Sequence, residues 1–227
     1  FIKLLNEYSI DVIVLIAPRH LSEETECILN DLGCKFIVTQ NPNTDIKALS
    51  TLSLYNRSCM CFGPAWIFDD SFLSIFEGRI FNYNGIPLPA YLGGAHYTWQ
   101  ILNSSQKGGC YIQQITNKID RGPFIMNQQY VVDSSVITPA GYDSVNHLHG
   151  LDLLSKFLKK VTSTDKVFPL ENDLVDWNNS KYFPRLHTKT NAWIDWSWSG
   201  EDIERFCNAF DDPYPGAQSL IDGITVS

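Results

Sequence analysis

Two asparagines, Asn82 and Asn84, stand at the end of the apolar run Arg79-Ile-Phe-Asn-Tyr83. Gly85-Ile-Pro-Leu-Pro-Ala-Tyr-Leu-Gly93 follows as a loop. Both side chains are carboxamides, which donate and accept hydrogen bonds. They can neither take nor release a proton near pH 7. A reaction centre built on them needs a titratable partner from elsewhere, and the neighbouring polar segments offer Asp120 and His96. Asp120 lies in a polar loop closed by Gly122, where an aspartate bonding its own backbone is the competing reading. His96 follows Gly93-Gly94-Ala95 at the start of a helical pattern and could equally be a half-buried structural residue. Gly63-Pro64-Ala65-Trp66 could cradle a flat ring or simply turn the chain. His147 and His149 read as surface residues of a long helix, and Asp211-Asp-Pro-Tyr-Pro-Gly216 reads as a helix stop.

The elements that must hold these residues follow from periodicity. Residues 1–8 read as a helix and 11–16 as a buried strand. Ser22 opens a helix to about 32 that Gly33 closes. A strand at 35–39, a helix near 45–53 and a strand at 58–62 come next. A short helix to 76, capped by Asp69 or Asp70, leads to a strand at 79–83. Short apolar strands alternating with helices, about 20 residues apart, predict βαβ units and a parallel sheet. Such sheets carry function at the carboxyl ends of their strands, here in loops 17–22, 40–44, 63–68 and 82–95. Beyond that come a helix at 96–103, antiparallel strands at 109–115 and 122–132 around loop 117–122, and a helix at 142–161. Residues 163–195 read as loop, and a capping box at Ser199 opens a helix to 210.

The chain has 227 residues, 44% hydrophobic and 19% charged, which suits one large domain or one domain with a small appendage. Its net charge of -8 speaks against DNA, and against RNA as the main partner. Lys156, Lys159 and Lys160 read as a solvated helix face. The cysteines lie mostly in apolar runs without zinc-like spacing, so no metal and a reducing, cytoplasmic compartment are expected. No apolar stretch is long enough to span a membrane. The chain opens on a helix already under way and closes on the strand-like Thr225-Val-Ser227, so an upstream first strand and a downstream extension are expected outside it.

Asn82, then Leu88-Pro89-x-Tyr91-x-Gly93, then Trp99-x-Ile101-Leu102-Asn103, then Ile119-Asp120-x-Gly122, resembles the core of the formyltransferase family that uses 10-formyltetrahydrofolate. Pro184-Arg185, Ile194-Asp195-Trp196 and Asp212-Pro-Tyr-Pro-Gly-Ala217 resemble the end of its catalytic region. The resemblance covers roughly residues 10 to 220. It implies an α/β fold with a Rossmann-like, doubly wound, mostly parallel sheet in a catalytic domain at 1–165, and a small helical and loop extension at 166–227. It also implies amide formation, in which a neutral amine attacks the formyl carbon and an oxyanion develops. In the family an Asn and a His hold that oxyanion, and an Asp orients the His and moves the proton. Asn82 and Asp120 match the Asn and the Asp, but Asn84 stands where the His belongs. The resemblance leaves Asp120, with a pKa raised by burial, as the base, or His96 in its place. It places the pterin near Gly63-Pro64-Ala65-Trp66-Ile67-Phe68 and Ile119, and it puts Leu92 where the family has an Arg. The implied acceptor is the amine of a nucleotide-linked amino sugar, with methionyl-tRNA as an alternative and a homodimer as a further expectation. A domain that binds without catalysis is the third reading, and Asn84 and Leu92 are its basis.

Overall fold

The structure, a computed structural model, describes residues 1–53, 58–94, 96–119, 121–163 and 177–227. The chain forms two compact units, each assembled from three segments, with unit limits falling inside two strands and the long helix. The first unit holds Phe1–Asn84, Ile112–Met126 and Leu154–Glu171, and the second holds the rest.

In the first unit, helix α1 (Ile2–Glu7) leads to β1 (Ile13–Ile16), which pairs in parallel with β2 (Lys35–Val38). Between them, α2 (Glu23–Asp31) starts where the Ser22 hydroxyl accepts the Thr25 amide at 3.1 Å. Three glutamates in its first turn suit the positive end of the helix dipole, and Gly33 at φ +67° ends it. Helix α3 (Ile46–Ser53) precedes β3 (Cys59–Phe62). Asp69, not Asp70, caps α4 (Asp70–Ser74) by accepting the Phe72 amide at 2.8 Å. Strand β4 (Ile80–Asn84) then lies parallel to β3. Leu52, Cys61, Phe68, Phe72, Phe76 and Ile80 form a buried cluster in which Phe68 stacks on Phe72 at 4.8 Å. The four-stranded ladder runs β3-β4-β6-β7, where β5 is Tyr91–Gly93, β6 is Lys107–Gln114 and β7 is Phe124–Val131. The Gln114 amide bonds the Pro123 carbonyl and the Val132 amide bonds the Gln106 carbonyl, so β6 and β7 form the expected antiparallel hairpin.

In the second unit, α5 (His96–Leu102) and α8 (Gly200–Ala209) flank a core of Ile101, Val132, Tyr142, Ala192, Phe206, Ala209 and Phe210. Ser199 caps α8 through the Asp202 amide at 3.2 Å. Two expectations change here. Helix α6 (Pro139–Ser163) begins three residues before the predicted 142, because Pro139 fits a first helical position and the Thr138 hydroxyl accepts the Gly141 amide at 3.3 Å. Residues 163–195 are not all loop: β8 (Lys181–Phe183) pairs in parallel with β5, and α7 (Thr188–Asn191) follows it. Residues 164–176 lie outside the described part. The chain closes with a hairpin of β9 (Ser219–Ile221) and β10 (Ile224–Val226).

Asn146, 4% exposed on α6, ties the second unit together. Its amide nitrogen lies 2.8 Å from the Tyr130 hydroxyl, 3.1 Å from the Gly85 carbonyl and 3.4 Å from the Gly109 carbonyl. His149, expected as a surface residue, instead stacks on Tyr130 at 3.9 Å, and its Nδ1 lies 3.0 Å from the Gln128 amide nitrogen. Burial pushes the Tyr130 hydroxyl up to about 12, against the opposing hydrogen bond from Asn146.

Asn146→Ala strands these buried acceptors and should lower the unfolding free energy by about 1–3 kcal/mol in urea denaturation. The fold favours the protonated Tyr130 phenol, so its contribution is complete below pH 10 and is lost as pH rises through about 12. Tyr130→Phe should flatten that alkaline fall in a pH series of melting temperatures.

Candidate functional site

Strand alternation places Ile80, Asn82 and Asn84 on one face of β4 and Phe81 and Tyr83 on the other. Phe81 meets Phe157 edge-on at 5.3 Å, and Tyr83 lies 5.7 Å from Phe62. These apolar contacts fix which way the strand faces. The carboxamide face continues across the ladder, where Cys59 pairs with Ile80 and Cys61 with Asn82. Cys61 is buried in the cluster with Phe68 and Phe72, and Trp66 packs against that cluster. Asn82 therefore points to the side of the sheet on which the Gly63–Phe68 loop rests its aromatic residues. Asn84 is the last residue of β4, at the carboxyl end where parallel sheets expose their sites.

Asn82 is half-buried, yet its Oδ1 is fully enclosed and has no hydrogen-bond partner among the described residues. An enclosed polar atom without a partner costs about 1–3 kcal/mol, so a group that hydrogen-bonds it would recover that cost. Beside it, the Cys59 and Cys61 sulfurs lie 3.8 Å apart. The hydrogen bond with Cys59, and then burial, push the Cys61 thiol well above its usual range. A thiol held protonated is a poor nucleophile, which leaves this face to the amides.

The loop after β3 is held from a neighbouring loop. The Asn43 carboxamide donates to the Ile67 carbonyl at 2.9 Å and accepts the Asp69 amide at 3.1 Å. The Trp66 indole donates to the Gln40 carbonyl at 2.9 Å. Gly63 turns at φ +53°, and Ile67 is left 70% exposed. The loop thus presents apolar surface on a fixed backbone, as a flat ring would require. Asn43 was missed in the sequence. Loop 40–44 stands at the end of a strand, but nothing in Asn41-Pro-Asn43 tells which loop its amide reaches.

Ile119 is 65% exposed in the loop between β6 and β7. The backbone approaches closely at Gly122: a Cβ there would overlap the Gln114 carbonyl, and the buried Gln113 amide donates to the Gly122 carbonyl at 2.7 Å. Asp120 and Ala95 lie outside the described residues, and of His96 only the backbone, at the start of α5, is described. Of the four residues expected to do chemistry, Asn82 and Asn84 share a face of one strand. Among the described residues no cluster of three or more His, Cys, Asp or Glu could hold a metal ion, and no helix is long and apolar enough to cross a membrane.

Comparison with known proteins adds four findings. The formyl transferase family model matches residues 51–148 and the model of the formyl transferase C-terminal domain matches 187–227, together more than half of the chain. A methionyl-tRNA formyltransferase of Borrelia duttonii is 28% identical, and the match covers 97% of this chain and 71% of that one. A sugar N-formyltransferase from a Shewanella species superposes with a TM-score of 0.72 at 17% identity, over 99% of this chain and 88% of that one. HypX from Aquifex aeolicus, solved with tetrahydrofolic acid, superposes with a TM-score of 0.61 at 15% identity. That match covers 94% of this chain but only 36% of HypX. The superpositions show a shared fold.

Asn82→Leu removes an enclosed oxygen without a partner while keeping the side chain's volume. Unlike Asn146→Ala, it should leave the unfolding free energy unchanged or raise it by up to about 1–3 kcal/mol, read from urea denaturation.

Proposed function

The chain belongs to the formyltransferase family, whose formyl donor is 10-formyltetrahydrofolate, and we propose on that premise that it formylates the primary amine of a nucleotide-linked amino sugar. The observation that carries the reading is the pair Asn82 and Asn84 on one face of β4, whose amide N–H groups can serve one oxyanion. The donor site is Gly63, Pro64, Ala65, Trp66 and Ile67 with Ile119, and the catalytic domain is 1–165, with 166–227 as its extension.

The amine lone pair attacks the formyl carbon as the carbonyl electrons move onto oxygen. Asn82 and Asn84 donate to that oxygen, Asp120 takes the proton from the amine nitrogen, and the C–N bond to the folate breaks as the carbonyl reforms. The folate nitrogen leaves with the proton that Asp120 took from the amine. An amide at 84 supplies a donor but no charge and no proton transfer, so Asp120 carries the acid–base work, with His96 as the other available group. No disulfide forms among the described residues, which suits a reducing cytoplasmic compartment.

Methionyl-tRNA is the competing acceptor, favoured by the 28% identity to a methionyl-tRNA formyltransferase and disfavoured by the net charge of -8. Incubating the chain with the donor and a panel of amino-sugar nucleotides should release tetrahydrofolate. Folate binding without transfer to any amine would leave a binding domain, and transfer to charged initiator tRNA that falls steeply with salt would leave the tRNA reading. Asn84→His should raise kcat by about 10²–10⁴-fold, because general acid–base catalysis contributes on that scale. Asp120→Asn should remove most of the wild-type turnover, and unchanged turnover would discard Asp120 as base.

A further inference from the structure

Between Trp177 and Ile194 the chain carries Lys181, Arg185, His187 and Lys189 and no acidic residue, in a protein of net charge -8. All four basic side chains are exposed, and no ion pair among the described residues neutralises them. The backbone beneath them is fixed. Phe183 stacks on Tyr91 at 4.7 Å, the Trp99 indole donates to the Pro184 carbonyl at 2.8 Å, and the Gly94 amide donates to the Phe183 carbonyl at 2.9 Å. A Cβ on Gly93, which sits at φ +96°, would overlap the Phe183 carbonyl and lie 2.8 Å from the Tyr182 ring. A Cβ on Gly94 would lie 2.9 Å from Cβ of Arg185. Two successive glycines thus carry a tyrosine ring against one and an arginine stem against the next. The ring is 74% exposed. An exposed aromatic side chain and an exposed arginine without an ion pair among the described residues, three positions apart on an anchored backbone, match the two ends of a nucleotide: a base that stacks and a diphosphate that takes bidentate hydrogen bonds.

We propose that Tyr182 and Arg185, seated against Gly93 and Gly94, form a nucleoside-diphosphate site, the ring stacking on the base and the guanidinium holding the diphosphate. Lys181 and Lys189, within a few positions in the chain, add positive charge to the segment. This deepens the amino-sugar reading and rests on it for the identity of the ligand. A lone ring-and-cation pair fits one compact nucleotide better than a long polyanion. The carboxylates of a folate are separated by the test.

Calorimetric titration of the full chain with UDP and with dTDP, without formyl donor, measures this site apart from catalysis. Wild type should bind at least one of them. Arg185→Gln and Tyr182→Ala should each weaken that binding by about tenfold or more, Tyr182→Phe should retain it, and affinity for 5-formyltetrahydrofolate should stay unchanged in all three. Wild type binding neither nucleotide, variants binding as wild type does, or a loss confined to folate binding would each overturn the site. A chain that binds a nucleoside diphosphate through these residues yet transfers no formyl group would keep the site and remove the transfer reading.

Discussion

The direction in which β4 faces is the constraint on which the proposed chemistry depends. The strand has five residues, and a register shift of one would turn Asn82 and Asn84 to the opposite side of the sheet. Two apolar arrangements prevent it. Phe81 is 3% exposed against Phe157, and Ile80 is 1% exposed in the cluster with Phe72 and Phe76. Large side chains buried on both faces fix the strand far more firmly than its ladder bonds alone, because a slip would expose one set and bury polar atoms with the other. Only the last three residues emerge from this packing, and two of them are carboxamides.

That arrangement suits an oxyanion better than a base. Amide N–H groups aimed from a fixed strand need no reorganisation as charge develops, which is where donor groups are most effective. The same enclosure works against any ionised group nearby, and it adds to the hydrogen bond with Cys59 in raising the Cys61 thiol. On the proposed reading, a neutral donor pair on the strand is served by the carboxylate of Asp120, and an amide in place of an imidazole at position 84 would keep the donor and lose the charge, so the transfer step would lean harder on that carboxylate.

Much of this was legible in the sequence where the determining interactions are local. Ser22, Asp69 and Ser199 each bond a backbone amide three residues on, and so announce their helices from within one turn. The pairing of β5 with β8 was not legible, because it joins residues about 90 positions apart and β8 is three residues long, too short for a period. Asn43 and His149 were missed for the same reason. Their types say only that they can hydrogen-bond or stack, and the fold alone supplies Ile67, Asp69 and Tyr130 as partners. Leu88-Pro-x-Tyr-x-Gly93 was readable as a motif, but why it needs a glycine at 93 appears only when Phe183 arrives alongside.

Asn82 and Asn146 show how one side chain serves stability or function according to its accounts with neighbouring polar groups. Asn146 is buried and its nitrogen faces three oxygen acceptors, so the energy of its desolvation is returned within the fold. Asn82 is half-buried and its enclosed oxygen faces none among the described residues. The first arrangement is what packing alone selects. The second lowers stability, and packing would replace it with an aliphatic side chain of similar volume. Its presence on the face of β4 that carries both carboxamides is explained if the missing hydrogen bond is donated by something that comes and goes, as the N–H of a substrate amine would.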